Sequence, residues 1–497
     1  MERRNLSQDE LHALAHDIAI CCKAGDVIAL HGDLGAGKTS FARAFIRYLA
    51  NADIEVPSPT FSLVQPYDEL LVPVAHFDLY RLADESELAE LGLEEVLETS
   101  IALIEWPERA GDQLPSTALH INIAIANEEA DRRDVTITGE SDILARVRQS
   151  LYTRAFLNKH VEATALRQPL AGDASTRRYE TITGAEDQIL MIAPPQPDGP
   201  PVRDGLPYSK LAHLAEDIRP FVVIGSALRE AGIRAPAIGG FDVPQGFVLL
   251  EDLGRDMIID DQRQPIPDRY ITAGRLLAKL HSNPVSQNLA ARGLTHRLPN
   301  YDLSVFHMEA ELLLDWFVPA ETGATASPMM RDGFMEVLAS LWRALDGSRF
   351  TILLRDYHSP NIVYDHDKSD LDRFGVIDFQ DALWGPAAYD LMSLIHDARV
   401  TVRSALGRQI LEAYCTDRAQ SDRLFDAEAF TREAAICTAQ RLCKILGIFH
   451  RLNKRDGKPA YLAHLPRVRG YFEEALSDPA LASLRKWWES AGLKERS

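Results

Sequence analysis

A glycine-rich segment near the start of the chain has the residues and spacing of a phosphate-binding loop. Residues 32–39 read GDLGAGKT and match the pattern G-x-x-x-x-G-K-[ST] at every fixed position. Glycines let backbone N–H groups converge on phosphate oxygens, the lysine reaches the β- and γ-phosphates, and the hydroxyl binds Mg²⁺. We therefore predict that ATP is contacted by the residues between the first glycine and the hydroxyl: Asp33, Leu34, Gly35, Ala36, Gly37, Lys38 and Thr39.

Two acidic residues follow apolar runs and complete this first set. Asp78 lies in the segment HFDLYR at 76–81, and Glu105 directly follows the apolar run 101–104. A carboxylate at the carboxyl end of a strand beside a phosphate-binding loop can touch Mg²⁺ or orient an attacking water. The segment PSPTF at 57–61 sets hydroxyls between prolines, which predicts a preset loop that covers the γ-phosphate or senses its loss.

A second set of polar residues lies in the C-terminal half. Asp356 and Asn361 are five residues apart after an apolar run, which is the spacing of a kinase catalytic loop. In such a loop the aspartate accepts the proton of the acceptor hydroxyl and the asparagine holds Mg²⁺. Asp378 ends a further apolar run some twenty residues on and predicts a second metal ligand. We expect the three side chains to converge on one magnesium nucleotide.

The sequence predicts that the elements which position the first set form a compact α/β domain. Ser7 and Glu10 form a capping box that opens an amphipathic helix, and a helical pattern over 40–49 follows the phosphate-binding loop. Short apolar runs predict a mostly parallel sheet with helices packed on it. These runs are residues 27–30, 70–75, 101–104, 119–126 and 135–137. The domain is predicted to span residues 1–145.

The remaining residues, 146–497, predict a second unit with a small mixed lobe at about 165–254 and a larger helical lobe at about 255–497. A helix over 145–165 leads into a hairpin of 178–183 with 188–192. The proline-rich stretch 193–201 predicts a stiff connector, because proline cannot join a helix interior or a central strand. Strand-like runs interrupt the helical part: 246–250, 351–354, 362–364 and 375–377.

Composition limits the class of protein. The 497 residues are 46% hydrophobic and 25% charged, which is typical of a globular chain with two or three domains. No apolar run reaches the roughly 18 residues of a membrane span, and no export signal opens the chain. We therefore expect a cytoplasmic protein that does not bind a membrane. Five cysteines without a C-x-x-C argue against disulfides and structural zinc.

The charge is unevenly distributed. The net charge is −20, and residues 1–150 hold 27 acidic against 12 basic residues. An acidic surface repels a phosphate backbone, so a basic protein partner suits this part of the chain better than nucleic acid does.

Residues 5–140 resemble the ATPase subunit of the bacterial tRNA threonylcarbamoyladenosine machinery, the TsaE family. Its marks GDLGAGKT, PSPTF, HFDLYR and IEWPER all stand in this sequence. The resemblance implies a weak ATPase that acts with other protein subunits and meets tRNA only indirectly. By this resemblance Lys38 binds phosphate, and Thr39 and Glu105 bind Mg²⁺. The resemblance also implies that Asp78 is catalytic and that Trp106 lies next to the nucleotide.

Residues from about 148 onward resemble the aminoglycoside phosphotransferase branch of the kinase-like fold. Within it they are most similar to the N-acetylmuramate/N-acetylglucosamine anomeric kinase, through LAGDASTRRY (170–179), RDYHSPN (355–361) and IDFQDALWGPAAYDL (377–391). The resemblance implies phosphorylation of a sugar 1-hydroxyl with ATP during recycling of cell-wall sugars. It also implies a hinge at GFVLLEDLG (246–254), where the backbone from Glu251 to Leu253 meets adenine, and a phosphate-covering loop at 172–176.

Two departures from the kinase pattern keep alternatives open. Leu354 stands where the pattern has histidine, and no lysine occurs in 189–193, so Arg177 or Arg178 is a candidate for the missing cation. The acceptor could be either amino sugar, another small alcohol or an aminoglycoside, and a degenerate kinase scaffold is the non-enzyme alternative. Three further candidates for the sugar pocket are Trp384, Tyr389 and His281, and core or lobe packing is the favoured explanation for each.

Overall fold

A computed structural model describes most of the chain: residues 1–82, 91–126, 129–139, 142–170, 177–184, 188–195, 199–203, 205–283 and 285–493. The chain divides into two compact units. The first comprises Met1–Ile192 with Gly239–Asp242, and the second comprises Ala193–Ile238 with Val243–Ser497. Among the helices described, none combines the length and the apolar character needed to cross a bilayer.

The first unit is built on a seven-stranded sheet of order β1-β7-β6-β2-β5-β4-β3. Its strands are β1 Glu2–Leu6, β2 Val27–His31, β3 Val64–Tyr67, β4 Val74–Asp78, β5 Ile101–Glu105, β6 Leu119–Ala126 and β7 Glu129–Thr138. The central ladders, β2 with β5 and β6 and β4 with β5, are parallel, whereas the outer ladders are antiparallel. The sheet is therefore mixed, with the predicted parallel pairing at its centre.

Helices cover this sheet because their apolar stripes match its buried faces. They are α1 Gln8–Ala19, α2 Lys38–Ala50, α3 Leu93–Thr99 and α4 Asp142–Leu157. The predicted capping box is present: Ser7 accepts from the Glu10 N–H, and Glu10 accepts from the Ser7 N–H. Phe41 and Phe45 of α2 pack with Ile28 and Leu30 of β2 in a fully buried cluster.

A three-stranded antiparallel segment follows within the same unit. Its strands are β8 Leu166–Leu170, β9 Arg178–Thr183 and β10 Gln188–Ile192. β9 pairs with both β8 and β10, and the β9–β10 hairpin has the predicted bounds.

A buried ion network ties β8 and β9 to α1 and α4. The Asp17 carboxylate accepts from Arg154 at 2.8 and 3.0 Å and from Arg167 Nη1 at 2.9 Å, and Arg167 also binds Glu180 through two bonds of 2.8 and 3.1 Å. All four side chains are buried. Two cations and two anions offset each other, and Ser150 Oγ accepts a further bond from Arg167. These charges are stable without water only because each has a partner.

The second unit is mainly helical. Its helices are α5 Tyr208–Leu211, α6 Arg219–Glu230, α7 Pro267–Ser282, α8 Leu303–Ala310, α9 Val318–Thr322, α10 Pro328–Arg343, α11 Ala388–Ile395, α12 Ser404–Ser421, α13 Ala427–Asp456, α14 Leu465–Ala475 and α15 Ala482–Ser490. The long helix α13 packs against several other elements of this unit. At Gly447 it approaches the backbone of Leu312 so closely that a Cβ would lie 2.1 Å from the Leu312 carbonyl oxygen, and only glycine permits this contact. Buried residues of α13 therefore pack among the surrounding helices.

The second unit also contains short strands, some of which flank the predicted catalytic residues. They are β11 Pro201–Arg203, β12 Leu206–Pro207, β14 Phe247–Glu251, β15 Asn288–Ala291, β16 Leu294–Arg297, β17 Phe350–Leu353, β18 Ile362–Tyr364, β19 Phe374–Val376 and β20 Leu383–Pro386. β13 spans Ile238–Asp242, of which the last four residues belong to the first unit. β17 pairs with β20, and β18 with β19, both antiparallel.

Several predicted bounds differ from those observed. The strand predicted over 70–75 is β4 at Val74–Asp78, and the helix predicted over 145–165 is α4 at Asp142–Leu157. The edge strands β1 and β3 were not predicted, because their mostly polar, solvent-facing residues lack an apolar run. The domain boundary near residue 145 stays a prediction, and the loop at 172–176 lies outside the described residues.

Asp17→Ala tests the ion network. It leaves the buried Arg154 without a carboxylate and Arg167 with only Glu180, so we expect a loss of about 3–5 kcal/mol in the free energy of unfolding of the first unit. Urea unfolding measures the loss, and amide hydrogen exchange in α1 and β8 localises it.

Asp53→Ala is the matched control, since it removes an exposed carboxylate that pairs with Arg47 at 3.0 Å. We expect little change in the free energy of unfolding of this variant, because exposed ion pairs contribute little to stability. Equal losses in the two variants would contradict the assignment of the network as a stabilising core.

Candidate functional sites

The predicted phosphate-binding loop joins β2 to α2, with Gly37 as the N-cap of the helix. Gly32 has a φ of +139°, and a Cβ there would lie 2.2 Å from the Ile123 carbonyl oxygen, so only glycine fits. Arg133 of β7 donates to the Ala36 carbonyl at 2.6 Å and holds the loop from the sheet side. The loop therefore leads directly into the N-terminus of α2, and a helix N-terminus favours an anion.

Lys38 is folded back onto this loop. Its Nζ donates to the Gly32 and Asp33 carbonyls at 2.6 and 3.0 Å and lies 3.6 Å from the centroid of the Trp106 ring. Burial lowers the pKa of Lys38, and the neighbouring carboxylates, Glu105 first, oppose that shift. Trp106, which is predicted to lie next to the nucleotide, thus contacts the lysine, and the carbonyl contacts of Lys38 are ones that a phosphate can replace.

Glu105 ends β5 directly beside the helix start. Its carboxylate accepts from Thr39 Oγ1 at 2.8 Å and lies 3.0 Å from His76 Nε2, and both His76 and Glu105 are buried. Hydroxyl and carboxylate oxygens are suitable ligands for Mg²⁺. His76 was not singled out from the sequence, although it lies in the motif HFDLYR; it fixes the orientation of the glutamate.

Asp78 stands next to Glu105 because β4 and β5 are parallel and pair Asp78 with Glu105. Its Oδ2 accepts from Ser58 Oγ at 2.6 Å and from Thr60 Oγ1 at 2.7 Å. The hydroxyls of the PSPTF segment are thus bound to this carboxylate. Lys38, Thr39, Asp78, Glu105 and Trp106 all meet at one edge of the sheet.

The second site is organised around a loop between β17 and β18. Asp390 of α11 is buried and accepts from the N–H groups of Leu354 at 2.6 Å and Arg355 at 2.9 Å. Arg355 has a φ of +71°, an uncommon conformation for a non-glycine residue that the surrounding contacts must hold. Burial raises the pKa of Asp390 to about 7, although the two backbone bonds oppose the shift. Leu354, at the histidine position of the kinase pattern, is buried.

The loop brings Asp356 to the centre of a charged cluster. Arg355 binds the buried Glu309 of α8, and Lys444 of α13 donates to the same carboxylate at 2.7 Å. Burial raises the pKa of Asp356, but the positive charges around it, Lys444 foremost, outweigh burial and lower that pKa to about 2. Asp356 is therefore a carboxylate at neutral pH.

Asn361 and Asp378 are brought together by the β18–β19 ladder, in which Ile362 pairs with Val376. The ladder continues one residue further, since the Ile377 N–H donates to the Asn361 carbonyl at 3.0 Å. Asn361 Nδ2 donates to the Asp356 carbonyl at 2.9 Å. Asp378, at a φ of +59°, accepts from Gln380 at 2.9 Å. The three predicted polar residues are thus neighbours.

The predicted hinge, residues 246–254, contains β14 and ends three residues after it. The Glu251 N–H donates to the Ala237 carbonyl at 2.8 Å, so this donor is already used within the protein. Leu253 is buried and packs on β19, where a Cβ at Gly375 would lie 2.7 Å from its side chain. Leu253 therefore lies beside the strand that leads to Asp378.

Two of the candidates for the sugar pocket lie in packed surroundings. His281 is buried and lies 2.8 Å from the Tyr414 hydroxyl, and Tyr389 is buried against Tyr301. Asp390, Glu309 and Lys444 were missed, although Asp390 lies inside the motif at 377–391. Glu309 and Lys444 carry no local signal, because each is a single polar residue on a helix far away along the chain.

Comparison with known proteins finds two families along the chain. The family described as threonylcarbamoyl adenosine biosynthesis protein TsaE matches residues 6–135, and the phosphotransferase enzyme family matches residues 167–424. A relative from Caulobacter vibrioides, named N-acetylmuramate/N-acetylglucosamine kinase, is 33% identical over 67% of this chain and 94% of its own. Two tRNA threonylcarbamoyladenosine biosynthesis proteins TsaE match 27% of this chain: that of Rickettsia bellii is 38% identical over 92% of its length, and that of Bacillus subtilis is 40% identical over 83%.

Asp390→Asn tests how the catalytic loop is held. An amide has one acceptor oxygen, so its NH₂ group faces one of the two backbone donors and the loop loses a bond. Because small misplacements of reacting groups are costly, we expect the turnover number for phosphoryl transfer to fall at least about tenfold. Steady-state kinetics measures it, with thermal unfolding as the check that the variant is folded.

Asp315→Asn is the control, because this aspartate forms a half-exposed pair with Arg331. A folded Asp390→Asn variant that turns over like the Asp315→Asn variant would contradict the role given to Asp390.

Proposed function

Because the chain belongs to the TsaE family over residues 6–135 and to the phosphotransferase enzyme family over residues 167–424, we propose that it carries two separate ATP-using activities. The first is ATP hydrolysis within the machinery that forms threonylcarbamoyladenosine at position 37 of tRNA. The second is transfer of the γ-phosphoryl group of ATP to the 1-hydroxyl of N-acetylmuramate or N-acetylglucosamine.

The observation that carries the phosphotransferase proposal is the convergence of Asp356, Asn361 and Asp378 on one loop and one ladder. Asp356 accepts the proton of the sugar 1-hydroxyl while that oxygen bonds to the γ-phosphorus of ATP. The bond between the γ-phosphorus and the β-phosphate oxygen breaks, and ADP leaves. The lowered pKa keeps Asp356 in the carboxylate form at neutral pH, which is the form that can accept a proton.

Asn361 and Asp378 offer the oxygens that would hold Mg²⁺ in this site, and Thr39 and Glu105 would do so in the first site. Within the described residues no group of three histidine, cysteine or acidic side chains forms a protein-only metal cage. That fits an ion held by one or two side chains together with nucleotide phosphates. Bound Mg²⁺ supplies charge neutralisation on those phosphates.

The first site supports hydrolysis. Lys38 would exchange its carbonyl contacts for phosphate oxygens, and Asp78 would orient the attacking water from beside Glu105. The relatives' names supply the place of this activity in tRNA modification. We propose that other protein subunits of that machinery bind this acidic part of the chain, and that tRNA is met only through them.

The relatives favour an amino sugar over the other acceptors considered. The 33% identical relative, of which this chain covers nearly the whole length, is named N-acetylmuramate/N-acetylglucosamine kinase. The intact trio of Asp356, Asn361 and Asp378 favours a working enzyme over a scaffold, although strand β10, Gln188–Ile192, has no lysine. Arg177 and Arg178 stay candidates for that charge.

The two activities should separate in variants of the full chain. With ATP and N-acetylmuramate, we expect wild type to form sugar 1-phosphate, and Asp356→Ala to lose it by at least about a hundredfold, because the base is gone. Lys38→Ala should keep sugar phosphorylation and lose the slow, sugar-independent hydrolysis of ATP. Product is measured by phosphorus NMR and hydrolysis by phosphate release.

The opposite outcomes are clear. If the wild-type chain phosphorylates neither N-acetylmuramate nor N-acetylglucosamine, the kinase proposal is overturned. Loss of sugar phosphorylation in Lys38→Ala would contradict two separate sites, and sugar-independent hydrolysis that survives in Lys38→Ala would contradict the first site.

A further inference from the structure

Helix α13 carries a group of polar side chains that sequence reasoning did not connect with catalysis. Gln440, Arg441 and Lys444 lie within about one turn of each other. Gln440 Nε2 lies 3.3 Å from Glu309 Oε2, and Lys444 Nζ lies 2.7 Å from Glu309 Oε1. Glu309 also binds Arg355, whose neighbour along the chain is Asp356. The helix therefore approaches the catalytic loop through one shared carboxylate.

The charges of this cluster do not balance. Arg355 and Lys444 share the single carboxylate of Glu309. Arg441 adds a third cation, whose charge acts on Asp356 and on Asp390. Asp390 has a pKa of about 7 through burial and is only partly ionised near neutral pH. The three cations therefore outnumber the two fully ionised carboxylates, Glu309 and Asp356, and a further anion next to Arg441 would be favourable.

Arg441 itself has unused hydrogen-bonding capacity. It is 5% exposed, and its Nη1 is buried without a hydrogen-bond partner within the described chain. On the neighbouring Gln440 the buried Oε1 also has no partner. A buried charged donor without a partner is costly, and a guanidinium matches a carboxylate in two parallel bonds. Both properties indicate that a ligand completes this site.

We propose that Arg441 binds a carboxylate on the acceptor sugar and so makes the enzyme favour an acidic amino sugar over a neutral one. The inference rests on the proposed kinase function and deepens it. N-acetylmuramate carries a carboxylate on its lactyl ether, whereas N-acetylglucosamine has none. With the 1-hydroxyl at Asp356, the acid group of the same sugar would bind Arg441, and Asn361 and Asp378 would remain with the nucleotide.

The test compares the two sugars in the full chain with Arg441→Gln. We expect kcat/KM for N-acetylmuramate to fall at least about tenfold more than kcat/KM for N-acetylglucosamine, since a charged hydrogen bond is lost only with the acid. Arg441→Lys should recover part of the difference because it restores the charge. The KM for ATP, measured alongside, should change equally little with both sugars.

A second measurement does not depend on the variant folding. In wild type, the methyl ester of N-acetylmuramate should have a kcat/KM at least about tenfold below that of the acid. Equal losses for both sugars in Arg441→Gln, or an ester as good as the acid, would overturn the inference and leave the kinase function standing. Wild type that phosphorylates neither sugar would overturn both.

Discussion

The ion network around Arg167 is the contact on which the organisation of this chain depends. Arg167 lies on β8, inside the region that matches the phosphotransferase family, yet its partner Asp17 lies on α1 of the ATPase region. Each buried charge needs the other, because an ion left unpaired without water costs several kcal/mol. The first strands of the kinase region and the ATPase therefore form one compact unit. Cutting the chain near residue 145 would separate these charges. Activity is therefore best measured on the full chain.

Both candidate sites hold a carboxylate in place with donors that come from elsewhere in the fold. In the first site Asp78 accepts from Ser58 and Thr60, and its neighbour Glu105 accepts from Thr39. In the second site Asp390 accepts two backbone N–H groups and thereby sets the loop that carries Asp356. Fixed geometry of this kind is what phosphoryl transfer needs, since catalysis there is mostly positioning and charge stabilisation.

Much of this arrangement could be predicted from local patterns. Signals from residues close together in the sequence were enough for three features, which the structure contains. They are the phosphate-binding loop, the β9–β10 hairpin and the strands that lead to Glu105 and Asp378. The edge strand β1 could not be predicted, because a solvated strand has no apolar alternation. Glu309 and Arg441 were also missed, since isolated polar residues on helices look like solvated ones until packing shows that they are buried.

The central claim is that one chain has two independent nucleotide sites, one of them lacking the usual kinase lysine. Calorimetric titration of the full chain with a non-hydrolysable ATP analogue and Mg²⁺ tests it most directly. The account predicts a stoichiometry of about two per chain, which Lys38→Ala lowers to about one. A stoichiometry of one in the wild-type chain, lost altogether in Lys38→Ala, would contradict it.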